Sequence, residues 1–410
     1  MTNRLAIDGG APVRRHPFPR WPVHSEREER NLLDVLRSGQ WGALAGHMVQ
    51  AFERRFAEFQ GARYGVCVPN GTLALQMALK ALGVGPGDEV ITTPYTFIAT
   101  ANAALALGAR VVFADIDPAS LNIDPAQVER TVTPRTRAIV PVHLGGQPAD
   151  MDRLLAISRQ HNLGLLEDAC QAWGAEWRGR RVGAIGDLGA FSFQSSKNIS
   201  AGEGGIVVTN DERLAELCWS LHNVGRVRGG AWYYHEIVGW NLRMTEWQAA
   251  VLLAQLERLP EQAARREANA CYLADALGQV PGIGPLPANP LVTQHARHLF
   301  IMRYDPAAYG GRSRDEFLRA LQAEGIEPVS PGYVPLHRTP AIRRALAALC
   351  QEERSLCATA ADGLPELPAC PHAEEAAERA VWLFQYALLG ERSDMDSIAE
   401  AIAKIQRAWG

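Results

Sequence analysis

The chain has 410 residues, 47% hydrophobic and 21% charged, with a formal net charge of −4. That length exceeds one compact core, so two domains are expected, and the weak charge gives no electrostatic reason for a nucleic-acid or anionic-membrane partner. No apolar run approaches a membrane span and the N-terminus MTNRLAIDGGAPVRR has no apolar leader. The seven cysteines (Cys67, Cys170, Cys218, Cys271, Cys350, Cys357 and Cys370) are scattered and form no CxxC, which disfavours a disulfide scaffold or zinc site and fits a reducing cytoplasm.

Ser25 opens a helix with Glu28 as its capping-box partner, and Leu32, Leu33 and Leu36 follow at helical spacing. A second helix carries Val49, Phe52, Phe56 and Phe59 on one face and stops at Gly61. Short apolar strands then alternate with helices. YGVCV, EVITTP, ARVVFADID, RAIVPVHL, LGLLED, GAFSF and GIVVTN read as strands. Helices are expected over Thr72–Leu82 and from an Asp150 cap to His161. This alternation argues an α/β domain with a largely parallel sheet. The pattern turns helical over Arg243–Leu259, and a separate helix is expected from Pro260 to Leu277. Beyond PGIGPLPANP come helices at Ser313–Glu324, Ala373–Phe384 and Ser393–Trp409 and strands such as HLFIMRY, a smaller α+β domain. The boundary falls near residue 255, giving domains 1–255 and 256–410.

Five segments carry candidate chemistry. In PNGTLAL, Gly71 and Thr72 stand where a strand meets a helix. A residue without Cβ lets the backbone approach an anion, and the helix N-terminus suits a phosphate; a plain capped turn reads equally well. In TTPYTFIAT, Phe97 follows a strand end and suits stacking on a flat heterocycle, or is a core residue of the next helix. In EDACQAWGA, Asp168 closes a strand and suits a protonated ring nitrogen, with Gln171 in reach of a ring substituent; a helix cap is the other reading. In GDLGAFSFQSSKNISAGEGG, one lysine, Lys197, sits in a polar turn between apolar flanks. Buried there it becomes a nucleophile toward aldehydes, with Ser192 as a phosphate donor; a surface loop lysine is the alternative. In GWNLRMTEWQAA, Asn241 and Arg243 read simply as a loop entering a helix. No metal constellation is found: His295 and His298 lie at i and i+3 without a carboxylate partner, and HEIVG lacks a second histidine. No GxGxxG follows a strand.

In this order, LAIDGGAPVR, SGQW, NGT, PYTF, PVHLGGQPADMD, EDACQA, FSFQSSK, AGEGG, GWNLRM and GYVPLH resemble, end to end, the DegT/DnrJ/EryC1/StrS family of pyridoxal 5'-phosphate (PLP) dependent sugar aminotransferases. The resemblance implies fold type I, with a mostly parallel seven-stranded sheet in the large domain and a smaller C-terminal α+β domain. It implies a homodimer with active sites at the subunit interface. By position, Lys197 is implied as the Schiff-base lysine and Asp168 as the partner of the pyridinium nitrogen. Gln171 is implied at the ring hydroxyl and Phe97 on the ring face. Gly71, Thr72 and Ser192 are implied at the phosphate, with Asn241 reaching it from the partner subunit. The expected reaction moves nitrogen from L-glutamine or L-glutamate to a keto-sugar or keto-cyclitol, and the sequence is similar to the keto-cyclitol branch. An aminohydroxybenzoate-synthase-like dehydratase and a non-catalytic PLP-binding regulator are the other readings. Gly145 stands where many relatives have Tyr, and Trp173 where many have His, which puts substrate choice in doubt. Trp41, Arg243, Tyr333 and His337 are candidates to line the substrate pocket, or ordinary interface packing.

Overall fold

The computed structural model describes residues 4–352 and 364–410; Cys357 lies outside them. Five apolar segments form β1 (Tyr64–Val68), β2 (Glu89–Thr92), β3 (Arg110–Phe113), β4 (Thr136–Val140) and β5 (Gly164–Asp168). Two short strands, β6 (Glu176–Trp177) and β7 (Arg180–Arg181), precede β8 (Leu188–Ser192) and β9 (Gly205–Thr209). Seven of these make one sheet in the order β1-β9-β8-β5-β4-β2-β3. Only β9 runs against its neighbours; the other adjacent pairs are parallel. Every residue of β8 and β9 is buried, as expected of strands covered on both faces. Apolar layers cover the two faces. One centres on Leu75, Val90, Leu166 and Val207, the other on Phe52, Phe56, Phe191 and Leu252.

The helix caps read from the sequence are present. Ser25 and Glu28 form their capping box, and Asp150 accepts from the Arg153 N–H. Two expectations are corrected. Residues 246–277 form a single helix, Glu246–Leu277, with Pro260 inside it. Pro260 lies on the exposed side. The turns before it pack Leu252, Leu253 and Leu256 into the large-domain core. The turns after it pack Ala270, Leu273 and Leu277 into the C-terminal core. Anchorage at both ends holds the helix across the lost hydrogen bond. The expected boundary at residue 255 therefore falls inside a continuous element. The N-terminal segment also sends Leu5 and Phe18 into the C-terminal core.

The second correction concerns residues 373–384. The helix there is Pro371–Arg379, and Ala380–Phe384 is a strand. That strand is the fourteenth, after β10 (Ile283–Pro285), β11 (Val292–Gln294), β12 (Leu299–Tyr304) and β13 (Val329–Ser330). As β14 it lies inside a four-stranded sheet of order β10-β12-β14-β13. A short apolar run flanked by partners on both sides has no alternation to distinguish it from a buried helical turn. A third sheet, β11-β6-β7, ties the two regions together. Among the described residues no helix is long and apolar enough to cross a membrane.

Candidate active site

Parallel strands present their C-terminal ends on one edge of the large sheet, the usual place for a ligand. Gly71 follows β1, Phe97 follows β2, Asp168 ends β5, Ser192 ends β8 and Lys197 lies in the turn after it. All five line one cavity of about 710 Å³, together with Thr72, Gln171 and, from the smaller domain, His298, Tyr333 and Trp382.

Its floor is built by close approach. Asn70 caps the Gly71–Ala81 helix through the Leu73 N–H at 3.0 Å. A Cβ on Gly71 would stand 2.7 Å from Ser192 Cβ and 3.1 Å from Cys170 Sγ. Glycine there lets the positive end of the helix meet the Ser192 hydroxyl at the cavity wall, a seat for a phosphate.

Asp168 is buried, 5% exposed. Its Oδ2 accepts from Thr100 Oγ1 at 2.8 Å and its Oδ1 from the Cys170 N–H at 3.2 Å. Both donors are neutral, and no arginine ion-pairs with it among the described residues. A buried carboxylate without an ion-pair partner favours one, and a protonated pyridine nitrogen meets that need. Gln171 is held at both ends: Oε1 accepts from the Gly145 N–H at 2.7 Å and Nε2 donates to the Tyr333 hydroxyl at 3.0 Å. Phe97 is 57% exposed on the cavity surface, its ring 6.4 Å from that of Tyr333.

Lys197 is one of three lysines in the chain. Lys80 is exposed and Lys404 pairs with Glu324. Burial lowers the pKa of Lys197, while the charges of Cys170 and Asp168 pull it the other way; the net shift is downward. A lysine held so supplies a neutral, nucleophilic amine more readily than a solvated one. Phosphate seat, buried carboxylate bonded only by neutral donors, exposed ring and depressed lysine together fit PLP. Among the described residues no group of three His, Cys, Asp or Glu could hold a metal.

Four sequence candidates lie outside this cavity. His337 is buried, with Nε2 bonded to Glu374 Oε1 at 2.8 Å and its ring near Phe113, so the structure does not bring it to the substrate. Trp41, Asn241 and Arg243 gather elsewhere, at the N-terminus of the long helix. Trp41 packs on Trp247 at 5.6 Å, Asn241 pairs with Asn223 through the backbone, and Arg243 donates to Asn223 Oδ1 at 2.9 Å. Conversely, Thr100 and His298 enter the cavity without having been singled out for it. Thr100 carried a signal, a hydroxyl one helical turn after Phe97. In the sequence His298 stands out only as half of a pair with His295 at i and i+3. Its partner Asn198 is 100 residues away, so spacing gave no hint.

A model of the DegT/DnrJ/EryC1/StrS aminotransferase family matches residues 22–403. The chain is 43% identical over 415 residues to a Streptoalloteichus tenebrarius protein provisionally named L-glutamine:3-amino-2,3-dideoxy-scyllo-inosose aminotransferase, covering 99% of each. It is 39% identical over 429 residues to the L-glutamine:2-deoxy-scyllo-inosose aminotransferase of the same organism, covering 100% of this chain and 99% of that one. The crystal structure of 3-amino-5-hydroxybenzoic acid synthase matches with a TM-score of 0.85 at 36% identity, covering 97% of this chain and 100% of the other. The chain belongs to the DegT/DnrJ/EryC1/StrS aminotransferase family, and its cofactor is pyridoxal 5'-phosphate.

Proposed function

We propose that this enzyme moves the amino group of L-glutamine or L-glutamate to a ketone on a cyclitol or sugar, in two half-reactions at one site. The observation that carries the reading is the pairing, in one cavity, of a depressed lysine amine with a buried carboxylate bonded only by neutral donors. When bound, PLP supplies an aldehyde that exchanges nitrogen with amines and a conjugated ring that takes up an electron pair.

The chain's own residues do the rest. Lys197 Nζ would hold the cofactor through its aldehyde and, as a free amine, would take the proton from the amino-acid Cα and pass it on. Asp168 keeps a proton on the ring nitrogen, and Thr100 holds Asp168 in place. Gln171 meets the ring hydroxyl and Phe97 lies on the ring face. Gly71, Thr72 and Ser192 take the phosphate. Asn241 reaches the phosphate of the neighbouring subunit in a homodimer, with Trp41 and Arg243 beside it. The exposed Trp232, Tyr233, Tyr234 and Val238 support a covered face next to them. Tyr333 stands where an incoming ketone meets the smaller domain. The free thiols Cys67, Cys170, Cys218, Cys271 and Cys370 support a cytoplasmic setting.

The names of the two relatives support glutamine as donor and a keto-cyclitol as acceptor. Glutamine with a panel of keto-cyclitols and keto-sugars tests this, product amines being read by mass. Wild type is expected to aminate at least one cyclitol ketone, and Lys197→Ala none. Turnover retained in Lys197→Ala sinks the assignment. An aromatic product instead of an aliphatic amine transfers the chain to the 3-amino-5-hydroxybenzoate synthase reading.

A further inference from the structure

His298 precedes β12 by one residue, and its ring is buried, 7% exposed. Asn198, the residue after Lys197, sets its tautomer. Asn198 Nδ2 donates to the carbonyl of Ala296 at 2.7 Å, which turns Oδ1 toward His298. An amide oxygen only accepts, so the ring nitrogen facing it, Nδ1 at 3.0 Å, carries the hydrogen. Trp173 packs on the ring in a T-shaped contact, 5.6 Å between centroids. Nε2 is left with a bare lone pair. Among the described residues it has no partner, yet it is not one of the polar atoms sealed inside the protein. It opens on the cavity that His298 lines with Lys197. Burial, with the charges of Lys197 and Arg266, pushes the pKa of the ring well down, so the lone pair persists at neutral pH.

Two other acceptors of the cavity are engaged. Asp168 serves Thr100 and Cys170, and Gln171 Oε1 serves Gly145. An amino-acid donor brings a carboxylate, which finds no hydrogen at Nε2. A polyhydroxylated ketone brings hydroxyls, each needing an acceptor once desolvated. We propose that His298 is a substrate residue of the second half-reaction: its Nε2 accepts a hydrogen bond from a hydroxyl of the ketone, and Asn198 locks the accepting tautomer. This rests on the reading of the acceptor as a hydroxylated ketone.

Two variants separate the two ring nitrogens. His298→Asn keeps a donor for Asn198 and removes the acceptor at the reach of Nε2; His298→Gln keeps an acceptor there and loses the donor to Asn198. Each half-reaction is followed by rapid-mixing absorbance, with cofactor affinity and the melting temperature of the cofactor-free protein measured alongside. His298→Asn is expected to leave the glutamine half-reaction within about 2-fold and slow the ketone half-reaction about 10- to 100-fold, the cost of an unmatched hydroxyl. Cofactor affinity and melting temperature should hold, and His298→Gln should lose less toward the ketone. Equal losses in both half-reactions, a loosened cofactor with a lower melting temperature, or no loss toward the ketone overturns the assignment. A wild type that aminates no hydroxylated ketone overturns the substrate reading and this one together, so the wild-type arm distinguishes the two failures.

Discussion

Asp168 is bonded by two neutral donors, and Thr100 contributes the shorter of the two hydrogen bonds. In the proposed reaction its task is electrostatic: it keeps the ring nitrogen protonated so that the ring accepts electrons. Asp168→Asn keeps the shape and removes the charge, and is expected to lower kcat by about 100-fold or more. Thr100→Val keeps the shape and removes one donor, and is expected to cost about 10-fold in kcat with cofactor still bound. Single-turnover kinetics at saturating cofactor check both. A Thr100→Val enzyme as slow as Asp168→Asn would mean that the hydroxyl does more than hold the carboxylate. At this scale the sequence was legible wherever a residue stands beside its own strand end. Gly71, Phe97, Asp168, Gln171, Ser192 and Lys197 could each be placed because the sheet edge gathers the residues at or just past the end of every parallel strand. His298 could not, since its meaning comes from Asn198, 100 residues away, and Thr100 could be placed only through its spacing from Phe97.

Among the ties between the first helix, Glu26–Ser38, and the long helix is one carboxylate. Glu28 accepts from the Ser25 N–H at 3.0 Å, from Gln255 Nε2 at 3.1 Å and from Arg258. Burial pushes its pKa up, but the bonds from Arg258 and Ser25 outweigh that and hold it at about 2. The folded pKa lies below the ordinary value near 4.5, so the tie stabilises fully above pH 4.5 and is lost as pH falls toward 2. Glu28→Gln is expected to cost about 3 kcal/mol at neutral pH, the price of leaving Arg258 without its carboxylate. Urea midpoints of wild type and variant should converge between pH 4.5 and 2; a gap independent of pH would show that packing, not charge, makes the tie. The capping box itself was readable, because Ser25 and Glu28 are neighbours. Its junction with Gln255 and Arg258 was not. Nor were the course of the helix through Pro260 or the strand at Ala380–Phe384, because packing outside the local window settles both.

At the scale of the whole molecule, the proposed residues divide into two sets. Lys197, Asp168, Gly71 and Ser192 meet in one cavity. Asn241, Arg243 and Trp41 cluster where the long helix begins, outside that cavity. No rearrangement within a subunit is needed if the second set serves the cavity of a neighbour related by two-fold symmetry, since each subunit then gives and receives the same residues. The symmetry makes a quantitative demand. Lys197→Ala inactivates a cavity from within; Asn241→Asp sets a negative charge against the phosphate of the cavity next door. In a mixed dimer both lesions fall on one site and the other site is intact. Unfolding and refolding an equimolar mixture should therefore restore about a quarter of wild-type activity, half the dimers being mixed with one working site each. Each variant refolded alone should stay inactive. If the mixture also stays inactive, Asn241 acts within its own subunit.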